Sequence, residues 1–406
     1  MGYTKTAAKG LTWIGAIRGL TRSLSFVRIA ILARILSPDQ MGHFAIATMV
    51  LAFLEIVTET GINVFLIQEG KKLEDYVDTA WSVSILRGLL ICLVVLVASW
   101  PISQFFSSPD ALILVQLAAA IPLIRGLINP SIIRLQKDLT FDREFYLRTG
   151  ILLADAAVSI AISFIYRTPA GLVWGMIAGA ILEVILSHLL ISPRPQWNLD
   201  FSKVNQILNR GRWMTAAGVF NYFFHNGDNI VVGRILSTAK LGVYQLAYSI
   251  SILPITEIAD TFGRVMFPVY SRVASDRARL FRAFTRVTAG ITLLVTPFCL
   301  LLIFFPENLI SFFLGDKWLE AATVLPILAL FGGIRAITGS TSSLFLAVKK
   351  QEYVTAVTLA SLAGLAVTIV PAVSRYGILG ASYSALIGSI AAIPVIVYFL
   401  SKTFSR

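Results

Sequence analysis

Charged side chains are scarce in this chain. They make up 14% of its 406 residues, whereas an average soluble domain has about 25%. Apolar residues make up 56%, and apolar stretches of about 20 residues, the length that crosses a bilayer core, recur from one end of the sequence to the other. No polar stretch between them is long enough for a soluble domain. The composition therefore excludes a soluble globular protein and predicts an integral membrane protein.

Cysteine and histidine are also rare. Cys92 and Cys299 both lie inside apolar segments, where we expect small packing residues and no disulfide. His43, His188 and His225 come without an HExxH or CxxC spacing, so neither a metal site nor another cofactor is predicted. The first residues do not have the pattern of a signal peptide, and we expect the first hydrophobic segment to remain as a helix.

The lengths of the apolar runs predict twelve membrane-spanning helices. Lipid offers no partner to unpaired backbone groups, so a spanning segment must be a helix or part of a closed barrel. The alternation that is typical of strands is absent, and we therefore expect an all-α membrane protein. The predicted spans are residues 12–33, 41–66, 79–100, 110–131, 146–166, 170–191, 213–234, 240–264, 284–305, 319–346, 353–374 and 377–400.

A repeated stretch indicates that the chain has two related halves. The sequence ARILSPDQMGHFAIATMVLAF at 33–53 returns as GRILSTAKLGVYQLAYSISIL at 233–253. A second echo matches IRGL at 124–127 with IRAI at 334–337. Both echoes fall on corresponding spans of the two halves. They predict the same helix, tight turn and helix near the start of each half.

A polar break at 192–209 separates the two halves. Six predicted spans precede it and six follow it, so both halves enter the membrane from the same side. This arrangement predicts parallel repeats related by an axis along the membrane normal. The predicted domains are two six-helix lobes, residues 1–195 and 196–406.

The lysines and arginines that give the chain its net charge of +12 are unevenly distributed between the two predicted sides of the membrane. If both termini are cytoplasmic, most flanking lysines and arginines fall in cytoplasmic loops, as the positive-inside rule requires. The charge is thereby explained without a nucleic-acid partner. The flanking cations on the other side are Arg34, Arg167, Arg234, Lys240, Lys317 and Arg375.

Arginines inside the predicted spans are candidates for function. A charge near the bilayer centre costs at least about 2.5 to 3.5 kcal/mol and usually faces a cavity or a partner. Arg18 and Arg22 lie four residues apart, on one helical face, and favour a cationic cavity wall. Arg28 lies further round the helix. It either belongs to the same cavity wall or extends its side chain to the membrane surface. Arg125 and Arg335 occupy equivalent mid-helix positions, where they line a cavity or bond one helix to another.

Carboxylates form a second group inside the spans. A buried carboxylate can titrate or bind a cation, because burial raises its pKa and a neighbouring arginine lowers it. Alternatively, each carboxylate only neutralises an arginine. For Asp228, beside His225 and Asn229, we expect a place in the cavity. The group consists of Glu55, Glu59, Asp155, Glu183, Asp228, Glu257 and Asp260.

Four stretches carry a resemblance to a known family: RILSPDQMGHF, IIRLQKDLTFDREF, FGRVMFPVYSRVASDRARLFRAF and FFLGDKWLEAATVLPILALFGGIRAI. In them the chain resembles Wzx-type polysaccharide flippases of the multidrug/oligosaccharidyl-lipid/polysaccharide exporter superfamily. The resemblance implies a V-shaped pair of six-helix lobes in the bacterial inner membrane. By alternating access they would carry an undecaprenyl-diphosphate-linked oligosaccharide to the outer leaflet, for lipopolysaccharide or exopolysaccharide biosynthesis.

The resemblance also implies roles for the intramembrane charges. Guanidinium groups bind phosphate oxygens bidentately, which suits a lipid-linked diphosphate. Membrane lipid and a polysaccharide polymerase are further expected partners. The substrate set is Arg18, Arg22, Arg28, Arg125, Arg335 and Asp228. The set that couples H⁺ or Na⁺ movement to transport is Asp155, Glu183, Glu257 and Asp260. The outer gate is Arg34 and Arg234.

Other functions stay open. A multidrug or cation antiporter of the same superfamily would favour acidic residues over arginines in its cavity. A polysaccharide polymerase or ligase should carry a large outer loop with catalytic groups, whereas the predicted outer loops are short, so no enzyme is expected. A scramblase that needs no ion gradient is a third alternative.

Overall fold

The structure, a computed structural model, describes residues 2–58, 74–138, 140–274 and 276–405. Within these ranges the chain forms helices and turns and no strand, which confirms the all-α prediction. The helices are α1 Gly2–Ile35, α2 Pro38–Val57, α3 Glu74–Phe105, α4 Pro109–Ala118, α5 Ala120–Gly126, α6 Arg134–Lys137, α7 Phe141–Tyr166, α8 Ala170–Leu190, α9 Phe201–Ile235, α10 Thr238–Val273, α11 Arg277–Phe304, α12 Pro306–Phe313, α13 Glu320–Ala347, α14 Gln351–Tyr376 and α15 Ile378–Phe404.

Most of the long helices can cross a membrane. Within the described ranges, nine segments have the length and apolar composition of a span: α2, α3, α4 with α5, α7, α8, α11, α13, α14 and α15. The protein is therefore a multi-pass membrane protein. Helices α1, α9 and α10 coincide with predicted spans but are more polar, and they carry several of the charges singled out above. The count of twelve spans stays a prediction.

The chain divides into two compact units, Met1–Asn226 and Gly227–Arg406. The polar break belongs by its contacts to the first unit. The backbone amide of Gln196 donates to the Asp78 carboxylate at 2.8 Å, and Lys203 Nζ donates to the Asp75 carbonyl at 2.7 Å. The start of α9 is thus held against the start of α3. The predicted lobe boundary after residue 195 stays a prediction.

In the first unit, glycines bring α7 and α8 together. A Cβ atom placed on Gly175 would lie 1.9 Å from Ser159 Oγ and 2.5 Å from the Asp155 carbonyl oxygen. A Cβ on Gly171 would lie 2.2 Å from Ser163 Oγ. Small residues allow helix backbones to approach closely in a membrane. Helix α1 packs on the same α7, which places Arg28 of α1 beside Asp155 of α7.

The second unit is built around α13, which packs against α10, α11 and the α14–α15 pair. Helices α14 and α15 meet at Gly377, whose φ of 61° lies in the left-handed region that favours glycine. A Cβ on Gly380 would lie only 2.0 Å from the Ala372 carbonyl oxygen. The two helices therefore need glycine both at the turn and at their closest approach.

The repeated stretch forms the same helix–turn–helix in each unit. In the first unit Ser37 Oγ accepts a hydrogen bond from the Gln40 amide, and Gln40 Oε1 accepts one from the Ser37 amide at 3.0 Å. In the second unit Ser237 Oγ accepts from the Lys240 amide at 3.2 Å. A serine in this position satisfies backbone groups that the first turn of a helix leaves unpaired. The repeat thus fixes where α2 and α10 begin.

Candidate functional site

A cavity of about 550 Å³ lies within the first unit, between α2, α3, α5, α7 and α8. Its charged lining consists of three arginines and two carboxylates, contributed by all five helices. These residues lie towards the helix ends that the sequence predicts to be cytoplasmic. The charged lining is Glu55, Arg87, Arg125, Arg148 and Glu183.

Arg125 and Glu55 form the first ion pair of this cavity. Arg125 Nη1 lies 3.1 Å from Glu55 Oε1, and the two side chains are 44% and 34% exposed. Arg87 approaches the same end of α2, because its guanidinium donates to the Glu55 carbonyl at 2.6 Å and to Thr58 Oγ1 at 3.1 Å. A guanidinium has five N–H donors, more than one carboxylate oxygen satisfies. Arg125 can therefore hold Glu55 and still offer donors to a ligand in the cavity.

Arg148 forms the second ion pair. Its Nη1 atom lies 3.3 Å from Glu183 Oε1, and its Nε lies 3.8 Å from Glu144 Oε1. Glu183 is largely buried, at 15% exposure, whereas Arg148 is 43% exposed. The arginine is thus anchored at the cavity wall by a buried carboxylate while part of its guanidinium faces the open space.

Nearer the middle of the first unit, Arg28 of α1 pairs with Asp155 of α7. Ser159 Oγ also donates to Asp155, at 3.0 Å. Both charged side chains are about five-sixths buried, and the Arg28 Nε atom has no hydrogen-bond partner in the described part of the chain. Arg28 was assigned to the substrate and Asp155 to the coupling ion, and the structure joins them in one ion pair.

In the second unit, Asp228 is buried at 3% exposure. Its carboxylate accepts hydrogen bonds from Tyr244 Oη at 2.9 Å and from the Asn229 amide at 2.8 Å. Arg335 lies close by and donates to Tyr248 Oη at 3.4 Å. Asp228 is thus enclosed by other side chains, and its assignment to the substrate set stays a prediction.

The other predicted site residues lie on helix surfaces or beyond what the structure describes. Arg22 is exposed on α1. Arg34 and Arg234 are exposed one residue before the ends of α1 and α9, next to the repeated turn, and their role as a gate stays a prediction. The residues named from the sequence whose side chains lie outside the described part of the structure are Arg18, Glu59, Glu257 and Asp260.

Three charged residues of the first-unit cavity, Arg87, Arg148 and Glu55, were not assigned to a site from the sequence. Glu55 stood only in the group of carboxylates inside the spans, and the structure pairs it with Arg125. Their shared signal is a charge in the half of a helix that lies nearer the same predicted side. Such charges also occur as surface anchors, so the signal alone does not show that they meet in one cavity.

Comparison with known protein families shows which family this chain belongs to. The family described as "Polysaccharide biosynthesis protein" matches residues 31–323. The chain belongs to this polysaccharide biosynthesis protein family. The match covers both copies of the repeat, and it confirms the resemblance to Wzx-type flippases that the sequence showed.

Two named proteins are similar in sequence to this chain over most of its length. Lipopolysaccharide biosynthesis protein WzxC of Escherichia coli (strain K12) is 22% identical, over 86% of this chain and 71% of that protein. Teichuronic acid biosynthesis protein TuaB of Bacillus subtilis (strain 168) is 24% identical, over 85% of this chain and 72% of that protein. Both names describe biosynthesis proteins.

Solved structures share the fold of this family member. The lipid II flippase MurJ in its inward closed conformation matches 96% of this chain and 88% of its own, with a TM-score of 0.76 and 18% identity. The inward-facing conformation of a multidrug resistance MATE family transporter of the MOP superfamily matches 95% of both chains, with a TM-score of 0.74 and 14% identity. At these identities the likeness shows the fold alone.

Proposed function

We propose that this protein is a flippase that moves an undecaprenyl-diphosphate-linked oligosaccharide from the cytoplasmic to the outer leaflet of the bacterial inner membrane, by alternating access. The polysaccharide biosynthesis family and relatives such as WzxC support the substrate class. The fold, shared with a lipid flippase and with exporters, supports the mode of transport.

The first-unit cavity is the observation that carries this proposal. Three arginines line it, and Arg125 and Arg148 are each nearly half exposed while paired with a carboxylate. A diphosphate presents several oxygens and more than one negative charge, and guanidinium groups bind such oxygens in a charge-assisted, bidentate way. The cavity is therefore suited to receive the diphosphate of the lipid carrier near the predicted cytoplasmic side.

Ion coupling forms the second part of the proposal. Asp155 and Glu183 are largely buried carboxylates, each held by an arginine of the first unit. If a phosphate competes for Arg148, Glu183 loses its counter-charge, and an H⁺ or Na⁺ that takes the place of the arginine would bias one of two conformations. Glu257 and Asp260 of α10 are the further candidates for this coupling.

A multidrug antiporter is the second candidate, favoured by the likeness to MATE transporters. A cavity for cationic drugs should present unpaired carboxylates. Here Glu55 and Glu183 are both matched to arginines. A drug-susceptibility panel separates the two functions, because the flippase should leave drug resistance unchanged.

Flipping can be measured with the purified protein in liposomes loaded with the lipid-linked glycan extracted from its host. We expect the glycan to become accessible on the opposite leaflet at a rate that increases with an imposed H⁺ or Na⁺ gradient. In cells, deletion of the gene should stop glycan export and leave the lipid-linked precursor accumulated. Export that continues without the protein would reject the proposed function, and flipping that ignores both gradients would reject only the coupling.

A further inference from the structure

A second cavity, of about 610 Å³, lies within the second unit, at the turn between α14 and α15. This is the predicted outer side of the membrane, away from the helix ends that hold the charged cavity of the first unit. Its polar lining comes from the repeated turn and from the starts of two helices. The residues used below are Ser237, Lys240, Glu320, Thr323, Tyr376 and Gly377.

The repeat allows a direct comparison with the first unit. The turn between α7 and α8 begins at Arg167, whose φ of 52° is left-handed like that of Gly377. In the first unit this turn is bridged to the repeated turn, because Gln40 Nε2 donates to the Arg167 carbonyl at 2.7 Å. Gln40 thus connects the repeated turn to the α7–α8 turn.

The second unit has a different contact at this place. Lys240 occupies the position of Gln40 in the repeat, and its ammonium pairs with Glu320 at the start of α13. A Cβ placed on Gly377 would meet no described atom within 4 Å, so open space adjoins the α14–α15 turn. The cavity therefore lies beside the position where Gln40 of the first unit is replaced by Lys240.

The lining indicates the chemistry of a ligand. Lys240 and Glu320 neutralise each other, so the cavity has no unpaired charge to select a phosphate or a cation. An ammonium has three donors and a carboxylate about four acceptor sites, so the pair keeps capacity for hydroxyl groups. Thr323 Oγ1, which donates to the Glu320 carbonyl at 2.8 Å, adds an acceptor, and the Ser237 hydroxyl adds a donor. Tyr376, at 66% exposure, offers an aromatic face.

We propose that this cavity binds a sugar unit of the translocated glycan, with the pyranose ring against Tyr376 and its hydroxyls on the Lys240–Glu320 pair. The inference rests on the proposed function, which supplies a glycan on this side of the membrane. The site would hold the head of the cargo after translocation, whereas the arginines of the first unit would hold its diphosphate before translocation.

Photocrosslinking tests this site in the native host. The photoreactive residue p-benzoylphenylalanine replaces Tyr376, cells are irradiated, and the intact mass of the purified protein is measured. We expect an adduct that contains the host glycan. The adduct should be lost in a strain that cannot attach the first sugar phosphate to the lipid carrier. The matched control is the same residue at Arg167, in the corresponding turn of the first unit, where no glycan adduct should form.

A second variant tests the role of Lys240. Lys240→Gln introduces the residue of the first unit, and it should reduce the glycan adduct at residue 376 several-fold, because it removes the proposed ammonium donor and can bridge to the turn as Gln40 does. If the variant at residue 376 does not support export, the photoreactive residue is placed at Thr323 of the same cavity. Two outcomes would overturn the proposal. The first is a photoreactive variant that exports glycan normally but gives no adduct.

The second is an adduct that persists without glycan synthesis, which would indicate a phospholipid headgroup in the cavity. Neither outcome touches the proposed function, which fails only if export survives deletion of the gene.

Discussion

Arg28 and Asp155 form an ion pair between α1 and α7, inside the first unit, with both side chains largely buried. Ser159 completes the contacts of the carboxylate, at 3.0 Å. Taking two charges out of water is costly, and mutual attraction offsets this cost only while both partners are present. The pair thus connects α1 to α7 inside the first unit.

Asp155→Asn should destabilise the protein by about 3 to 5 kcal/mol, because it leaves the Arg28 guanidinium buried without its anion. The melting temperature of the purified protein in detergent measures this loss. The double variant Arg28→Met with Asp155→Leu should recover most of the stability, since an apolar pair of similar volume replaces the charges. If the pair also takes part in transport, the stable double variant will still not export glycan. A single Asp155→Asn variant as stable as the parent would contradict the burial argument.

Gly175→Ala should destabilise the α7–α8 contact by about 1 to 3 kcal/mol, the usual cost of overpacking. The added methyl group would lie 1.9 Å from Ser159 Oγ and 2.5 Å from the Asp155 carbonyl. Gly150→Ala in the same helix pair is the control, because a Cβ there meets no atom within 4 Å. That substitution should be neutral or slightly stabilising, as alanine favours a helix over glycine. Equal melting temperatures for the two variants would show that the contact is not tight.

The sequence predicted the architecture better than the site. Apolar length and the requirement for paired backbone groups are local properties, so the helices could be recognised, and the repeat at 33–53 and 233–253 located equivalent turns. The ion pairs depend on which face each helix turns to its neighbour. Arg28 and Asp155 lie 127 positions apart, and Arg125 and Glu55 lie 70 apart. No local sequence pattern shows which residues pair over such distances. The sequence could therefore identify these charged residues as candidates but could not identify their ion-pair partners.

Tyr244→Phe should destabilise the second unit by about 1 to 3 kcal/mol, the cost of leaving a buried polar group without its partner. Tyr244 Oη donates to Asp228 at 2.9 Å, and both residues are buried. Tyr398→Phe, at a position that is 59% exposed, provides the control and should leave the melting temperature unchanged. Equal effects of the two substitutions would mean that this hydrogen bond does not stabilise the fold.

Arg125→Ala should abolish glycan export at normal protein levels, because the cavity loses the guanidinium that faces the proposed diphosphate. Arg125→Lys should keep only part of the activity, since an ammonium is a point charge without the planar fork of arginine. Arg335→Ala tests the repeat-equivalent position and should also abolish export. Arg282→Ala, exposed on α11, is the control and should export normally. Unchanged export by Arg125→Ala would reject the role of this cavity in substrate binding.

The predicted orientation of the chain depends on how its lysines and arginines are divided between the two sides of the membrane, and it can be tested with cysteine labels. Asp110 is exposed at the start of α4, on the predicted outer side, and Asp138 is exposed after α6, on the predicted cytoplasmic side. A maleimide that cannot cross membranes should label Asp110→Cys in intact spheroplasts, whereas Asp138→Cys should be labelled only after permeabilisation. The unsubstituted chain is the blank, because Cys92 and Cys299 lie within the membrane-spanning helices α3 and α11. The reverse pattern would place the arginine-lined cavity on the wrong side to receive a cargo made in the cytoplasm.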